Sequence, residues 1–313
     1  MTAAAWAAPV PFQSLAMTET IDCAIIGGGP AGLVAALYLL RFRRSVLIAD
    51  KGSSRAALIP RSHNYPGFPD GVSGEDLLAR LREQVSRYGA PTIGREVLAL
   101  ERGVSWRVVM PDRFVLARRV VLATGVVDRT PPILNAEDAI REGVLRYCPV
   151  CDGFEAREGR IAVIGDTDHA AREALFLRTY SASVDLLTER ESLSEAMRAR
   201  LASHGVDPVA IRPGSLRFIG DHICGDDKYG VALQPYEIGY GALGVDPQTQ
   251  LLRRLGVVLD GGCIAVDAKQ QTSLPGLYAA GDVVRGLDQI SVAMGEAAIA
   301  ATAIHNSLRE EED

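Results

Sequence analysis

The chain has 313 residues, 48% of them hydrophobic and 23% charged, with a net charge of -6 at pH 7. The length suggests about two domains with real cores. The negative balance argues against a nucleic-acid partner, which needs a basic footprint, and no apolar run approaches the roughly 20 residues of a membrane helix.

Residues 1–19 read as a disordered extension. The first 16 are rich in Ala and Pro and lack a basic segment, and Pro9 and Pro11 interrupt the apolar stretch, so they make a poor signal peptide. Met17 is a candidate alternative start, and a cytoplasmic protein is expected. Residues 21–26 predict a strand. A glycine turn follows, then an apolar helix through Ala36 to Leu40, then a strand over 45–49, which makes a βαβ unit. Residues 106–110 and 114–117 flank Pro111-Asp112 as a hairpin, and 120–122 form a third buried strand. A second βαβ unit has strands at 161–164 and 184–187 around a helix from about Ala170 to Arg178. A short strand at 264–266 precedes residues 276–282 and an Ala-rich helix to about Leu308. Residues 310–313 read as a solvated acidic tail. This order predicts an α/β fold of two Rossmann-like nucleotide-binding domains, each of three-layer ββα type. The second, 131–260, is inserted in the first, 20–130 plus 261–313.

Gly27-x-Gly29-x-x-Gly32 lies between a strand and a helix, where its mechanism requires it. The first glycine makes the tight turn. The second lets backbone approach a pyrophosphate, and the third packs helix on strand. Pro30 and Ala31 open the helix, whose free N–H groups would meet the phosphate. Asp50 ends the next strand, placed to accept from a ribose hydroxyl. Gly281-Asp282 offers either a second polar hook or an N-cap for the last helix.

Cys148 and Cys151 form a Cys-x-x-Cys pair. Zinc needs four ligands; no second pair exists and the histidines do not cluster nearby, so redox chemistry is favoured and no metal is expected. Asp152 is placed to shuttle a proton to or from a thiol, or to serve as a turn residue with Gly153. Cys23, Cys224 and Cys263 read as buried inert thiols. Five cysteines are too few for a disulfide scaffold.

These motifs together resemble the low-molecular-weight thioredoxin reductase family. The likeness runs from Asp22 to Leu308. It rests on the Gly27 turn, Asn64-Tyr65-Pro66-Gly67-Phe68, Ala123-Thr124-Gly125, Cys148-Pro149-Val150-Cys151-Asp152-Gly153, and the run from Leu274 to Val283. The resemblance implies FAD in the first domain, a homodimer, and the dithiol on the second domain. It implies that Cys151 faces the flavin, that Cys148 attacks an outside disulfide, and that Asp152 is the acid/base. Asn64 is implied near the isoalloxazine, with Gln289 and Ile290 near its pyrimidine, and Val97 would meet the adenine through its backbone. Domain rotation would show the dithiol alternately to flavin and to partner.

The chain also departs from that pattern. The second domain's cradle for NADPH corresponds to Gly165-Asp166-Thr167-Asp168-His169-Ala170. Thr167 stands where a glycine is wanted, and Asp166 and Asp168 bring negative charge. The family's His-Arg-Arg, which grips a 2′-phosphate, is here Thr188-Glu189-Arg190. A carboxylate about 4 Å from a phosphate charge costs on the order of 4 kcal/mol at an effective dielectric of ~20, so poor NADPH binding is expected. The flavin shell departs too, with Arg55 in the Gly52-Ser53-Ser54-Arg55 loop and Asp288 before Gln289. Asp288 would either lower the flavin potential or cap the last helix.

The expected function is an FAD-dependent dithiol/disulfide oxidoreductase that does not draw chiefly on NADPH. Reduced ferredoxin or a second flavin would supply electrons for a thioredoxin-like protein, or a small dithiol would be oxidised with oxygen as the sink. The alternatives are an ordinary NAD(P)H-dependent thioredoxin reductase and a non-enzymatic flavin redox sensor.

Overall fold

Short apolar runs bounded by turns make fully buried parallel strands, and the chain builds two sheets of this kind. A computed structural model describes residues 20–190 and 192–313; the expected extension over 1–19 lies outside them. The described chain divides into two units. The first holds the residues up to Ala57, then Glu75–Val126 and Pro247–Asp313; the second holds Leu58–Gly74 and Val127–Asp246.

In the first unit, strand Thr20–Ile26 is central. It pairs in parallel with Val46–Ala49 on one side and Phe114–Leu122 on the other, so Ile25 faces both Ile48 and Val121. Thr92–Ile93 extends one edge. Trp106–Val109 and Ala99–Arg102 extend the other as an antiparallel meander. Leu277–Ala279 also joins Phe114–Leu122 in parallel. Helix Pro30–Arg41 packs along the last helix, Ile290–Glu312. Alanines make the close approach possible: Ala35, Ala36, Ala297, Ala300 and Ala301 are all fully buried.

The second unit is a five-stranded parallel sheet in the order Pro208–Ala210, Val184–Thr188, Ile161–Ile164, Ile238–Gly241, Leu145–Arg146. Helix Asp168–Leu177 packs on it through Ala170, Ala171, Ala174 and Leu177. Helix Glu195–Ser203 begins at Ser194, whose hydroxyl accepts from Met197 N–H at 3.2 Å. The architecture is the expected α/β pair of Rossmann-like domains.

Several boundaries differ from expectation. Residues 247–260 group with the first unit because Leu252, flanked by Leu251, Leu255 and Val257, joins its core. Leu58–Gly74 groups with the second; it folds on itself through a Ser62–Val72 bridge and reaches the dithiol helix through Asn64. Phe114–Leu122 is one continuous strand rather than two. Helix Gly74–Ser86 was not read from the sequence. The acidic end is exposed, as expected, but it is helical and ion-paired rather than free. The last helix runs to Glu312, and Glu311 and Glu312 pair with Arg118 (2.8 and 3.1 Å), while Arg119 also bonds Glu311. Their partners sit mid-strand, which is why the sequence pattern hid them.

Candidate active site

Cys148 and Cys151 are joined as a disulfide with Cα atoms 5.3 Å apart. Cys148 is the extended residue that begins the one-turn helix Pro149–Asp152, and Pro149 occupies the first helical position, where its missing N–H costs nothing. Cys151 N–H donates to Cys148 O at 2.9 Å, which closes the small ring. Both cysteines are half-buried. Gly153 ends the turn because nothing larger fits: a Cβ there would lie 2.6 Å from Pro149 O and 2.7 Å from the Tyr180 ring.

Asp152 is held from two strands. Tyr240 O–H donates to its Oδ1 at 2.7 Å. Arg146 Nη1 donates to its backbone O at 3.1 Å, and Arg146 Nε lies 3.8 Å from Oδ2. Burial pushes the Asp152 carboxyl above the ordinary range; Arg146 and the Tyr240 bond pull it back, and Glu155 adds to the rise. Burial and the neighbouring Asp152 hold the Tyr240 phenol up and protonated. Asp152 is therefore an ionisable group beside the dithiol with a raised affinity for a proton, as an acid/base requires. Neither Tyr240 nor Arg146 was singled out in the sequence. The only available signal was a buried-strand tyrosine, whose hydroxyl needs a partner.

The first glycine turn fits a dinucleotide pyrophosphate. Gly27 has φ 111°, and a Cβ on it would lie 2.1 Å from Ala123 O. A Cβ on Gly32 would lie 1.9 Å from Gly27 O, so helix and strand touch there. A Cβ on Gly29 would meet only Ser54 Oγ, at 3.3 Å, which leaves that face open to an incoming group. Gly29 caps the helix without any side-chain bond, Pro30 and Ala31 follow, and no acid occupies the first turn. The helix N-terminus thus offers its N–H groups to an anion. Asp50 takes Gly52 N–H on Oδ1 at 3.0 Å, and its Oδ2 faces the Gly28 Cα.

The remaining first-unit residues collect at the same sheet end or near it. Ala123 N–H donates to Ile26 O, Thr124 O–H to Gln248 O at 2.7 Å, and Gly125 has φ 64°. Gly281 N–H donates to Glu296 Oε2 at 2.8 Å. Asp282 is ion-paired with Arg55 at 3.0 Å, and Arg55 also lies 3.9 Å from Asp288. The last helix is capped by Gln289 and starts at Ile290, so neither Asp282 nor Asp288 is its N-cap. Asp288 carries Arg55 as a counter-charge rather than standing as a bare carboxylate. Val97 is buried in the first-unit core. Asn64 belongs to the second unit, where its Nδ2 donates to Val150 O at 3.5 Å and its Oδ1 accepts from Ser62.

The second turn, at Gly165, keeps its tight packing: a Cβ on Gly165 would lie 2.8 Å from both Ala170 Cβ and Ala242 O. Its carboxylates are turned onto the loop after the neighbouring strand. Asp166 Oδ1 accepts Glu189 N–H at 2.8 Å and Arg190 N–H at 3.1 Å. Asp168 accepts both N–H and O–H of Ser194 at 2.8 Å, which hold its carboxyl below the ordinary range. Glu189 accepts from Gly214 N–H, and Thr188 is buried at the strand end. Asp168 thus serves the loop and is no bare charge over the turn, a correction to the sequence reading. Asp166 remains bonded to the Glu189 and Arg190 amides.

Cys23 is fully buried, and burial pushes its thiol far up, so it is inert. Cys224 and Cys263 are half-buried rather than buried.

Residues 21–297 match the pyridine nucleotide-disulphide oxidoreductase family. The chain is 32% identical over 291 residues to a thioredoxin reductase of Streptomyces coelicolor, covering 86% of this chain and 87% of that protein. The structure of thioredoxin reductase from Streptococcus pyogenes is similar at a TM-score of 0.86 and 28% identity, over 93% of this chain and 99% of that one. An atypical thioredoxin reductase from Desulfovibrio vulgaris Hildenborough is similar at a TM-score of 0.54 and 32% identity, over 93% and 99%. A likeness this long settles the family: the chain belongs to the pyridine nucleotide-disulphide oxidoreductases and is an enzyme of the thioredoxin reductase-like type.

Proposed function

We propose that this enzyme passes electrons between FAD in the first unit and the Cys148–Cys151 pair, and from the pair to a thioredoxin-like protein or a small disulfide. NADPH is not its main donor in this reading. Reduced ferredoxin or a second flavin takes that place; in a second version the flow reverses, with a small dithiol oxidised by the Cys148–Cys151 pair and oxygen as the final sink. The observation that carries the donor claim is the Asp166 carboxylate seated on the Glu189 and Arg190 amides. A nucleotide phosphate or ribose there would have to displace an anion already bonded twice, beside the Glu189 carboxylate. Charge-assisted bonds of this kind are the strong ones, and a like charge at about 4 Å adds on the order of 4 kcal/mol against binding at an effective dielectric of ~20.

The flavin, when bound, would supply a two-electron carrier. The protein's own residues do the rest. Gly27, Gly29 and Gly32 leave room for a pyrophosphate at the N–H groups after Pro30 and Ala31, and Asp50 takes a ribose hydroxyl. Gly281, Asp282 and Gln289 would hold the ring end. Asp152 takes the proton from the Cys148 thiol so that its thiolate can attack, and returns it when the disulfide is reopened. A working homodimer in the cytoplasm completes the proposal, following the family resemblance; light scattering of the pure protein and cell fractionation test it. Among the described residues no helix is long and apolar enough to cross a membrane.

Anaerobic titration of the yellow protein decides the donor. NADPH, NADH, dithiol and reduced ferredoxin are added in turn and flavin absorbance is followed. Slow or absent bleaching by NADPH, with fast bleaching by one of the others, is the expected result. Bleaching within seconds by one equivalent of NADPH overturns the donor claim and leaves an ordinary NADPH-dependent thioredoxin reductase.

A further inference from the structure

Tyr240 and Arg146 are register partners on adjacent parallel strands, Ile238–Gly241 and Leu145–Arg146. Partners in register project to the same side of a sheet. Both converge on one residue, Asp152, which lies 88 positions from Tyr240 and 6 from Arg146 in sequence. Tyr240 is fully buried, and its hydroxyl reaches Oδ1 at 2.7 Å. Arg146 is anchored by Nε to Gly143 O at 2.8 Å and by Nη1 to Asp152 O at 3.1 Å, with Nε 3.8 Å from Oδ2. The carboxylate thus carries a phenol on one oxygen and a guanidinium near the other.

We propose that Tyr240 and Arg146 are positioning residues that set the protonation equilibrium of Asp152, and through it the rate at which the Cys148–Cys151 dithiol reacts with a disulfide. This rests on the reading of Asp152 as the acid/base of the dithiol. Burial and three groups act on its charge: burial and Glu155 push the carboxyl up, while Arg146 and the Tyr240 bond pull it down. Without the clamp a buried carboxyl stays protonated to higher pH and is a poorer base at neutrality. The step it serves balances as follows. Cys148 gives its proton to Asp152 as the sulfur attacks a disulfide R–S–S–R, and one R–S⁻ leaves. The Cys151 sulfur, its own proton lost to water, then attacks Cys148 Sγ. That expels the bound R–S⁻ and closes the Cys148–Cys151 bond. Asp152 passes its proton to a departing R–S⁻, the other R–S⁻ takes one from water, and two electrons have moved from the dithiol to the disulfide.

The test uses the full flavoprotein, reduced with dithiothreitol, desalted anaerobically and mixed in a stopped flow with dithiobis-nitrobenzoate across a pH series. Tyr240→Phe and Arg146→Gln are each expected to move the acidic limb of the rate profile upward by about one pH unit, roughly tenfold in rate on its acid side. Arg146→Lys, which keeps the charge, is expected between Arg146→Gln and the parent. Parent-like profiles in both Tyr240→Phe and Arg146→Gln, with only a lower melting temperature, would show a purely structural role and overturn the proposal. If Tyr240→Phe fails to fold, the Arg146 pair decides alone. Asp152→Asn separates the two layers. A parent-like profile there sinks the acid/base reading of Asp152 itself. A slow, flat profile in Asp152→Asn beside an unmoved limb in the clamp variants sinks only the clamp.

Discussion

Arg55 Nη1 lies 3.0 Å from Asp282 Oδ2, a pair joining residues 227 positions apart at the end of the first-unit sheet. The same nitrogen is 3.9 Å from Asp288. Glu296 stands nearby, its carboxyl raised by burial and by the Asp282 charge. Arg55 is thus the cation that balances an acidic corner. Arg55→Met is expected to make the flavin harder to reduce. For a ring bound about 8 Å from the lost charge, the effect at an effective dielectric of ~20 would be on the order of 2 kcal/mol, about 40 mV for a two-electron couple. Equilibration with a reference dye measures it. An unchanged midpoint potential would separate this corner from the flavin.

Cys148→Ser and Cys151→Ser each leave one sulfur, which cannot close a ring. Each is expected to lower disulfide turnover by about a thousandfold or more while the visible flavin spectrum persists, since the glycine turn is untouched. Full turnover in either variant would remove the dithiol from the mechanism.

Gly32→Ala places a methyl 1.9 Å from Gly27 O. Backbone must shift to relieve it, at a cost of about 1–3 kcal/mol, and the shift opens the turn that would hold the pyrophosphate. The variant is expected to purify with a depleted flavin content and a lower melting temperature. Gly67→Ala is the control: no atom lies within 4 Å of that Cβ, so only its φ of 93° is strained.

The C-terminal clamp gives a pH prediction. Arg119 and Arg118 hold the Glu311 carboxyl below its ordinary value of 4.5. A depressed carboxyl adds stability that is present above the unfolded value and lost as pH falls through the folded one. Glu311→Gln is therefore expected to lower the melting temperature by about 1–3 °C at pH 7, the scale of an exposed ion pair. The gap to the parent should close as pH drops below 4.5. A gap that persists at pH 3 would point to packing rather than charge.

Local chemistry was legible in the sequence, and distant pairing was not. The turn at Gly27 and the ring at Cys148 depend on residues within a few positions, and backbone rules fix them. The units emerged because buried parallel strands read as apolar runs. Residues 58–74 were assigned by position along the chain, and only tertiary contact shows that Asn64 reaches the Val150 carbonyl. The ion pairs of the exposed acidic end were hidden because Arg118 and Arg119 lie nearly two hundred positions away, inside a strand. Asp168 looked like charge aimed at a phosphate because its partner, Ser194, lies across a strand and a loop. Tyr240 was invisible for the same reason.

The Tyr240 hydroxyl also ties the sulfur ring to the sheet mechanically. It runs from the strand beside Ile161–Ile164 to the last residue of the one-turn helix that carries both sulfurs. When the ring opens, that helix loses its covalent staple but keeps its tether. Deuterium uptake at residues 238–241 should therefore differ between the oxidised and reduced protein, making the interior amides a passive gauge of the sulfur pair's state.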